Sequence, residues 1–447
     1  MEVKKLKKIS QITLVFTMLL VLIASQFTYS PLKAAAEDNT LGLKAEAAII
    51  LDGKSGKIIF EKNADKVLGI ASMSKMMTEY IIMEAIKDKK IKWDDTVKIN
   101  EYIHNLSKTP NLSNVGLTQG EDYTVKELYS AMAIYSGNAA TVALAELISG
   151  SEKNFVKLMN KKAKEIGLKD FKFVNSSGLN NSDLLGNHPA GDANEENVMT
   201  ARDTATLAYR LITDYPEVLD FSKVSKLEFR DGKEYPNFNW MLPGLIYEYK
   251  GVDGLKTGST DFAGYGHTAT AIRDGQRYLT VVMKSTSKSE RFEDSIKLMD
   301  YAFSNFNTEK IVPADYQVKG KEKLPVAKGK EDSVKIQSEK AIELTIEKGQ
   351  KGNYAPKLVI DKDKLNEDGE LSAPIKKGDK IGYLTVDSKE DSDYGFIDKK
   401  GAKTVQVDVV AAESVEKANW FVLSMRAVGG FFGDVWDSAS STVKGWF

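Results

Sequence analysis

Ser72-Met73-Ser74-Lys75 opens a methionine-rich apolar stretch running to about Asp88, and the reading of the fold starts from it. Met73, Met77, Tyr80 and Ile81 recur at helical spacing, which predicts a helix with those residues in the core. Positions i and i+3 lie on one side of a helix, so Lys75 reaches the Ser72 hydroxyl. This S-x-x-K pattern decides little by itself. Ser285-Thr286-Ser287-Lys288 and Ser441-Thr442-Val443-Lys444 match it too, and such a pair commonly just shares a surface face. Two further motifs set the first match apart. Ser136-Gly137-Asn138 lies 64 residues beyond Ser72, and Lys256-Thr257-Gly258-Ser259-Thr260 begins another 120 residues on. Each occurs once, and the gaps are long enough for three separate elements to converge on one site.

The surrounding sequence alternates strands and helices. Ala47-Ala48-Ile49-Ile50-Leu51, the turn Asp52-Gly53-Lys54-Ser55-Gly56, and Lys57-Ile58-Ile59-Phe60 read as a strand pair. Helices are expected at 124–134, 138–149, 152–166, 200–213 and 290–305, and strands over Gly251–Ile272 and Tyr278–Met283. Strands, many helices, then strands again allow the first and last strands to share one sheet. Near residue 308 the composition shifts to lysine, glutamate and glycine with short alternating runs. These are Ser333–Ile336, Ile342–Ile346, Lys357–Ile360 and Val405–Val409, the pattern of a small antiparallel sheet domain. That region has no histidine and no catalytic constellation, and reads as a spacer or interaction module.

The composition excludes several chemistries. The 447 residues are 42% hydrophobic and 28% charged, ordinary for a folded protein of two or three domains. A net charge of −1 disfavours a nucleic-acid surface. The absence of cysteine removes disulfides, thiolate metal sites and cysteine nucleophiles. His104, His188 and His267 are widely spaced and match no metal-binding pattern, so no metal or other cofactor is expected. A nucleophile here must find a base other than histidine.

A lysine serves that purpose only when neutral, and burial and a nearby positive charge both lower its pKa. Lys256 is the natural second charge for Lys75. Ser136 is placed to relay protons among Ser72, Lys75 and a leaving nitrogen. Asn138 donates through its amide and accepts through its carbonyl, suited to holding Lys75 and a substrate amide. The N–H of Ser72, at a helix N-terminus, and the strand N–H of Ser259 would form an oxyanion hole.

Both ends carry membrane-related signals. Lys4, Lys5, Lys7 and Lys8, then the apolar run from Ile12 to Ala24, then Ala34-Ala35-Ala36, form a secretory signal with cleavage after Ala36. An uncleaved anchor is the alternative, but the apolar run is short for a span. Three of the five tryptophans, Trp420, Trp436 and Trp446, lie in the last 35 residues. Phe421, Met425, Val428, Phe432, Val435 and Val443 gather with the last two on one helical side, and Glu416, Arg426, Asp434, Asp437 and Lys444 gather opposite. That suits a helix lying in a membrane interface. Docking on the protein's own core is the alternative.

The segments Ile70–Thr78, Tyr135–Ala140 and Val252–Thr260 resemble the three motifs shared by class A β-lactamases and penicillin-binding proteins. Gly137 replaces the aspartate of the usual second motif. Ser-Gly-Asn is similar to the low-molecular-weight penicillin-binding proteins, serine-type D-alanyl-D-alanine carboxypeptidases, and above all to those of Bacillus-type bacteria. The resemblance covers nearly the whole chain. It implies an α/β fold: a penicillin-binding, β-lactamase-like transpeptidase domain with an antiparallel sheet and flanking helices, then a small all-β domain and an amphipathic C-terminal helix. The expected parts are a signal over 1–36, the catalytic domain over 37–308, the β domain over 309–411 and the anchoring helix over 412–447.

The resemblance also implies roles. Ser72 would be acylated by the penultimate D-Ala of a peptidoglycan stem peptide, with Lys75 as proton acceptor and Ser136 and Asn138 completing the proton network. Lys256, Thr257, Gly258, Ser259 and Thr260 would line the substrate, and Arg291 would lie near its terminal carboxylate. β-Lactams would acylate Ser72 as substrate mimics. Asp203 reads as structural, and His188 as a surface residue. The implied location is the outer face of the bacterial cytoplasmic membrane, held peripherally by the C-terminal helix. A β-lactamase using Glu195 or Glu196 for deacylation, an endopeptidase with the same machinery, and an idle wall-binding protein remain the alternatives.

Overall fold

The computed structural model describes residues 39–425, apart from 231 and 390–392. The expected signal over 1–36 and all but the first part of the expected C-terminal helix lie outside the described residues.

The first part is built on a five-stranded antiparallel sheet. β1 (Ala47–Asp52) and β2 (Ile58–Lys62) form the hairpin, and β3 (Val252–Thr260), β4 (Gly264–Arg273) and β5 (Gln276–Ser285) follow some 190 residues later. The order β3-β4-β5-β1-β2 joins the first and last strands of this part, with Ile50 opposite Thr280. β1 is apolar at nearly every position because helices cover both faces of the sheet. Ile49 and Leu51 pack into one core with Ala205, Leu207 and Leu211 of the helix Ala201–Asp214. Ala48 and Ile50 pack into the other with Phe292, Leu298 and Met299 of Lys288–Asn305. The expected strand over 251–272 is two strands, β3 and β4. The turn at 261–263 and Gly264, with φ of +64°, reverse the chain there.

The helices form a layer beside the sheet. α1 (Lys75–Lys87) is central, with Met76, Met77, Ile81 and Ile82 buried. α2 (Glu101–Lys108), which no reading of the sequence anticipated, starts where the Asn100 side chain accepts a hydrogen bond from the Ile103 N–H. α3 (Val125–Tyr135) opens with a capping box in which Thr124 and Glu127 bond reciprocally. α4 (Asn138–Ser149) follows after Ser136 and Gly137, and α5 (Glu152–Glu165) after a Ser151 cap.

The second part holds a six-stranded sheet and a two-stranded one. The four expected strands are present. Phe306–Val312, Lys323–Ala327 and Lys380–Ser388 are additional strands, and Lys399–Thr404 is a short helix. The sheet is not purely antiparallel: Val326 pairs in parallel with Leu371. Its core is Val334, Ile336, Ile346, Leu384 and Val409.

The two parts are clamped at the β1–β2 turn. Ile58 N–H donates to Gly395 O (2.9 Å) and Ile397 N–H to Gly56 O (2.8 Å). The Lys57 ammonium sits 2.7 Å from Asp393 and beneath the rings of Tyr354 and Phe396. Buried Asp52 accepts from Thr345 and Gln276, each at 2.7 Å. No described helix is long and apolar enough to cross a membrane. Trp420, Phe421 and Met425, on the helical turn capped by Asn419, are exposed.

Candidate active site

Ser72 lies in a 3₁₀ turn, Ala71–Ser74, immediately before α1, rather than in the α-helix itself. Ala71 has φ of +45°, a strained value for a residue with a β-carbon. The turn is held from several sides. Ser74 Oγ donates to Ala71 O (2.6 Å), and Asn197 Nδ2 donates to Ser74 Oγ (2.9 Å). Gly178 packs on Ala71 so closely that a β-carbon there would lie 1.9 Å from the carbonyl oxygen.

The first turn of α1 carries Lys75 into a closed pocket, where the side chain is fully buried. Its Nζ is 3.0 Å from Ser72 Oγ, 2.7 Å from Asn138 Oδ1 and 2.7 Å from the Ser177 carbonyl oxygen. The two carbonyl oxygens only accept, so Lys75 donates to both. A neutral amine has two N–H bonds and one lone pair. Both bonds are then spent, and the lone pair is left toward the Ser72 hydroxyl. Burial and the neighbouring Lys256 push the Lys75 pKa well below the lysine range, and Glu79 opposes them.

Asn138 starts α4 and is fixed by its own donor, Nδ2 to Ser113 O at 3.0 Å. That bond uses one of the two amide N–H donors and leaves the other for a substrate. Ser136 caps α3 in the left-handed conformation, and its buried hydroxyl has no hydrogen-bond partner among the described residues. The Ser177 carbonyl was not anticipated. It is positioned by Asn175, whose Oδ1 accepts from Gly178 N–H (2.7 Å), and by Glu152, whose Oε1 accepts from Ser176 N–H (2.9 Å). Asn197 ties this segment to the nucleophile turn by accepting from Val174 N–H at 2.7 Å. The run Asn175-Ser176-Ser177-Gly178 between helices was the available signal.

The third motif lies on β3, an edge strand of the sheet. A β-carbon on Gly258 would meet Ile70 O at 2.5 Å, Met73 N at 3.0 Å and Ser72 N at 3.1 Å. The glycine therefore lets this strand press on the turn that carries Ser72. Lys256 is buried, and burial brings its pKa down to about 8 against the opposing charge of Glu79. Thr257 is buried next to it and accepts from Lys256 Nζ through its carbonyl (3.3 Å). The Thr260 hydroxyl is already engaged, donating to Glu196 at 2.6 Å and accepting from Ala263 N–H at 3.0 Å. A groove of about 530 Å³ opens beside Ser259, Thr260 and Tyr265. Arg291 is buried behind β3 and donates to Gly258 O at 3.4 Å.

The remaining residues sort themselves. Asp203 accepts from the backbone N–H groups of Lys169 and Asp170 (3.0 and 2.7 Å), a structural role. His188 is exposed. His267, unassigned in the sequence, is fully buried between Ser295 and Asn239, and burial lowers its pKa well below the histidine range. Glu195 pairs with Lys172 and Glu196 with Thr260, and neither bonds to Lys75. Glu79 and Tyr129 lie buried behind Lys75 and carried no sequence signal beyond helical periodicity.

The turn that carries Ser72, a buried lysine of lowered pKa and a glycine-bearing edge strand converge here, an arrangement suited to serine acyl transfer. Comparison with known proteins gives the family. Residues 33–287 match the D-alanyl-D-alanine carboxypeptidase family of S11 peptidases, and residues 306–417 match the C-terminal domain of penicillin-binding protein 5. The chain is 33% identical to the D-alanyl-D-alanine carboxypeptidase DacF of Bacillus subtilis, over 95% of this chain and 98% of that one. It is 31% identical to DacC of Escherichia coli, over 94% of each. Among solved structures it is similar to penicillin-binding protein 3 of Streptococcus pneumoniae, with TM-score 0.70, 34% identity and coverage of 84% and 100%. Penicillin-binding protein 5 of Haemophilus influenzae gives 0.66, 30%, 84% and 98%. The chain belongs to the D-alanyl-D-alanine carboxypeptidase family, the low-molecular-weight penicillin-binding serine hydrolases of peptidoglycan maturation.

Proposed function

We propose that Ser72 is the nucleophile that removes the terminal D-Ala from peptidoglycan stem pentapeptides, and that penicillin acylates the same atom. The observation that carries this is the set of contacts at Lys75, whose Nζ lies 3.0 Å from Ser72 Oγ and 2.7 Å from each of the Asn138 and Ser177 carbonyl oxygens; in the neutral amine both N–H bonds go to those two acceptors and the lone pair is left for Ser72. Ser72 Oγ attacks the penultimate D-Ala carbonyl carbon while its proton passes to Lys75 Nζ. The Ser72 and Ser259 N–H groups hold the oxyanion. The proton then moves, by way of the unpartnered Ser136 hydroxyl, to the leaving nitrogen. The C–N bond breaks and D-Ala departs. Water attacks the ester, and Ser72 and the tetrapeptide are released. The exposed rim of β3 offers backbone pairing to an extended peptide, and protonated Lys256 with Thr257 and Arg291 attracts its terminal carboxylate.

The same reading covers the ends of the chain. Residues 1–36 would direct export, 37–308 catalyse, 309–411 form a spacer, and the helix over 412–447 would rest on the outer face of the cytoplasmic membrane. The exposed Trp420 and Phe421 support that last point.

The test is a time course with a stem pentapeptide ending in D-Ala-D-Ala and, in parallel, penicillin, followed by mass spectrometry of D-Ala and of the protein. D-Ala release with a long-lived adduct on Ser72, both abolished by Ser72→Ala, is expected. Rapid penicillin turnover without D-Ala release would make the protein a β-lactamase instead.

A further inference from the structure

Glu79 lies on α1 one turn beyond Lys75, so the two side chains occupy one helical face. Its side chain is buried at 3% exposure. Among the described residues it has one hydrogen bond, accepted from the Tyr129 hydroxyl at 3.3 Å, and it forms no ion pair within 4 Å. A buried carboxyl so sparsely partnered is costly to the fold, and the acyl-transfer steps do not use it.

Its surroundings suggest what it does. Lys75 faces it from its own helix, Lys256 from β3 and Tyr129 from α3. Arg291, from the helix Lys288–Asn305, faces Lys256, and so does neutral His267 from β4; Glu217 lies behind Tyr129. Lys75, Lys256 and Arg291 are all buried, and Glu79 is the acid whose charge acts on both lysines.

We infer that Glu79 is a positioning residue for proton transfer: it is the counter-charge that lets Lys256 keep its proton while Lys75 gives its own up. This rests on the reading of Lys75 as the base for Ser72. Burial raises the Glu79 pKa to about 7, moderated by Lys256 and Tyr129. Glu79 in turn holds up the pKa of Lys256. Neutralising it makes both lysines lose protons more readily. The alkaline edge of the pH range in which Lys75 is free and Lys256 charged then moves toward acid.

The test is the pH profile of penicillin acylation by the full protein carrying Glu79→Gln, followed as adduct mass. The alkaline limb, where Glu79 is charged, is expected to move acidward by on the order of one pH unit, while Glu79→Asp keeps it near its wild-type position. A purely structural role would lower the rate by one factor at every pH. An alkaline limb that stays in place, or that moves toward alkali, overturns the inference. Tyr129→Phe removes the one hydrogen bond and leaves the acid in place. It favours the neutral acid, and should move that limb the same way by less. If Glu79→Gln does not fold, an unmoved alkaline limb in Tyr129→Phe overturns the inference. Ser72→Ala in parallel keeps the two questions apart: an adduct persisting there overturns the nucleophile assignment, whatever the limbs do.

Discussion

Gly258 presses on the backbone beside Ser72: a β-carbon there would lie 3.1 Å from the Ser72 nitrogen and only 2.5 Å from the Ile70 carbonyl oxygen, which leaves no room for a side chain. That nitrogen is one of the two proposed oxyanion donors. Gly258→Ala should push β3 off the nucleophile turn and slow penicillin acylation by about 10²-fold or more, the cost of one lost donor. Overpacking should also lower stability by about 1–3 kcal/mol. Stopped-flow acylation and thermal unfolding measure the two, and acylation within threefold of wild type would rule out the contact as a determinant.

Asn138→Ala removes one of the two acceptors that consume the N–H bonds of Lys75. The amine then has a free N–H bond, and its lone pair is no longer confined to the Ser72 direction. A lost hydrogen bond between neutral groups is worth about 0.5–1.5 kcal/mol, so acylation should fall by about 2- to 10-fold. Asn138→Asp, which keeps an acceptor but adds a charge, should favour protonated Lys75 and be slower still near neutral pH. An Asn138→Asp variant faster than Asn138→Ala would contradict the need for a neutral lysine.

The pH profile of D-Ala release should be bell-shaped. Lys75 must be neutral, so activity rises as pH passes its lowered pKa. Lys256 must be charged, so activity falls as pH passes about 8. Stability follows from the same proton. The Lys256 pKa falls from 10.5 unfolded to about 8 folded. Between those values the unfolded chain binds more protons, so this lysine's cost to the fold is full below about 8 and fades toward 10.5. Melting curves of wild type and Lys256→Met should therefore converge as pH rises from 8 to 10.5. A constant gap would show that Lys256 is not titrating in that range.

Lys57 couples the two parts away from the site, with its ammonium 2.7 Å from Asp393 and both side chains largely buried. Lys57→Ala leaves Asp393 without its cation, a change worth about 3–5 kcal/mol in buried pairs. The melting temperature should drop clearly while D-Ala release per folded molecule is unchanged. Loss of activity with an unchanged melting temperature would mean that the second part acts on the chemistry directly.

The convergence of the three motifs was legible because it lives in side chains at fixed spacings. Ser72 and Lys75 share one side of a helical segment, and the glycine after Lys256-Thr257 marks a close backbone approach. The alternating faces of Ile49 and Ile50 announced a sheet strand. Other parts were hidden for physical reasons. Ser177 contributes a carbonyl oxygen, which every residue has, so its role depends on where the chain runs. Glu79 fits the helical pattern around it and shows its burial only after α3 and β3 have packed. The Thr260 hydroxyl, read as facing substrate, is held by Glu196, a pairing 64 residues apart that no local pattern reveals. In the second part, Lys323–Ala327 and Lys380–Ser388 were missed because a proline and glycines interrupt or border the alternation.

Asp52, at the clamped turn, is level across the sheet with Tyr278, Ala271 and Val252. Gly258 lies six residues farther along β3, a rise of about 20 Å. The turn that carries Ser72 and the second part thus lie at opposite ends of a stiff ruler. A soluble peptide would not sense that length, but a stem peptide fixed in a polymer mesh would. On the proposed anchoring by the chain that follows Ala411, the ruler would set a standoff and with it the depth of mesh within reach.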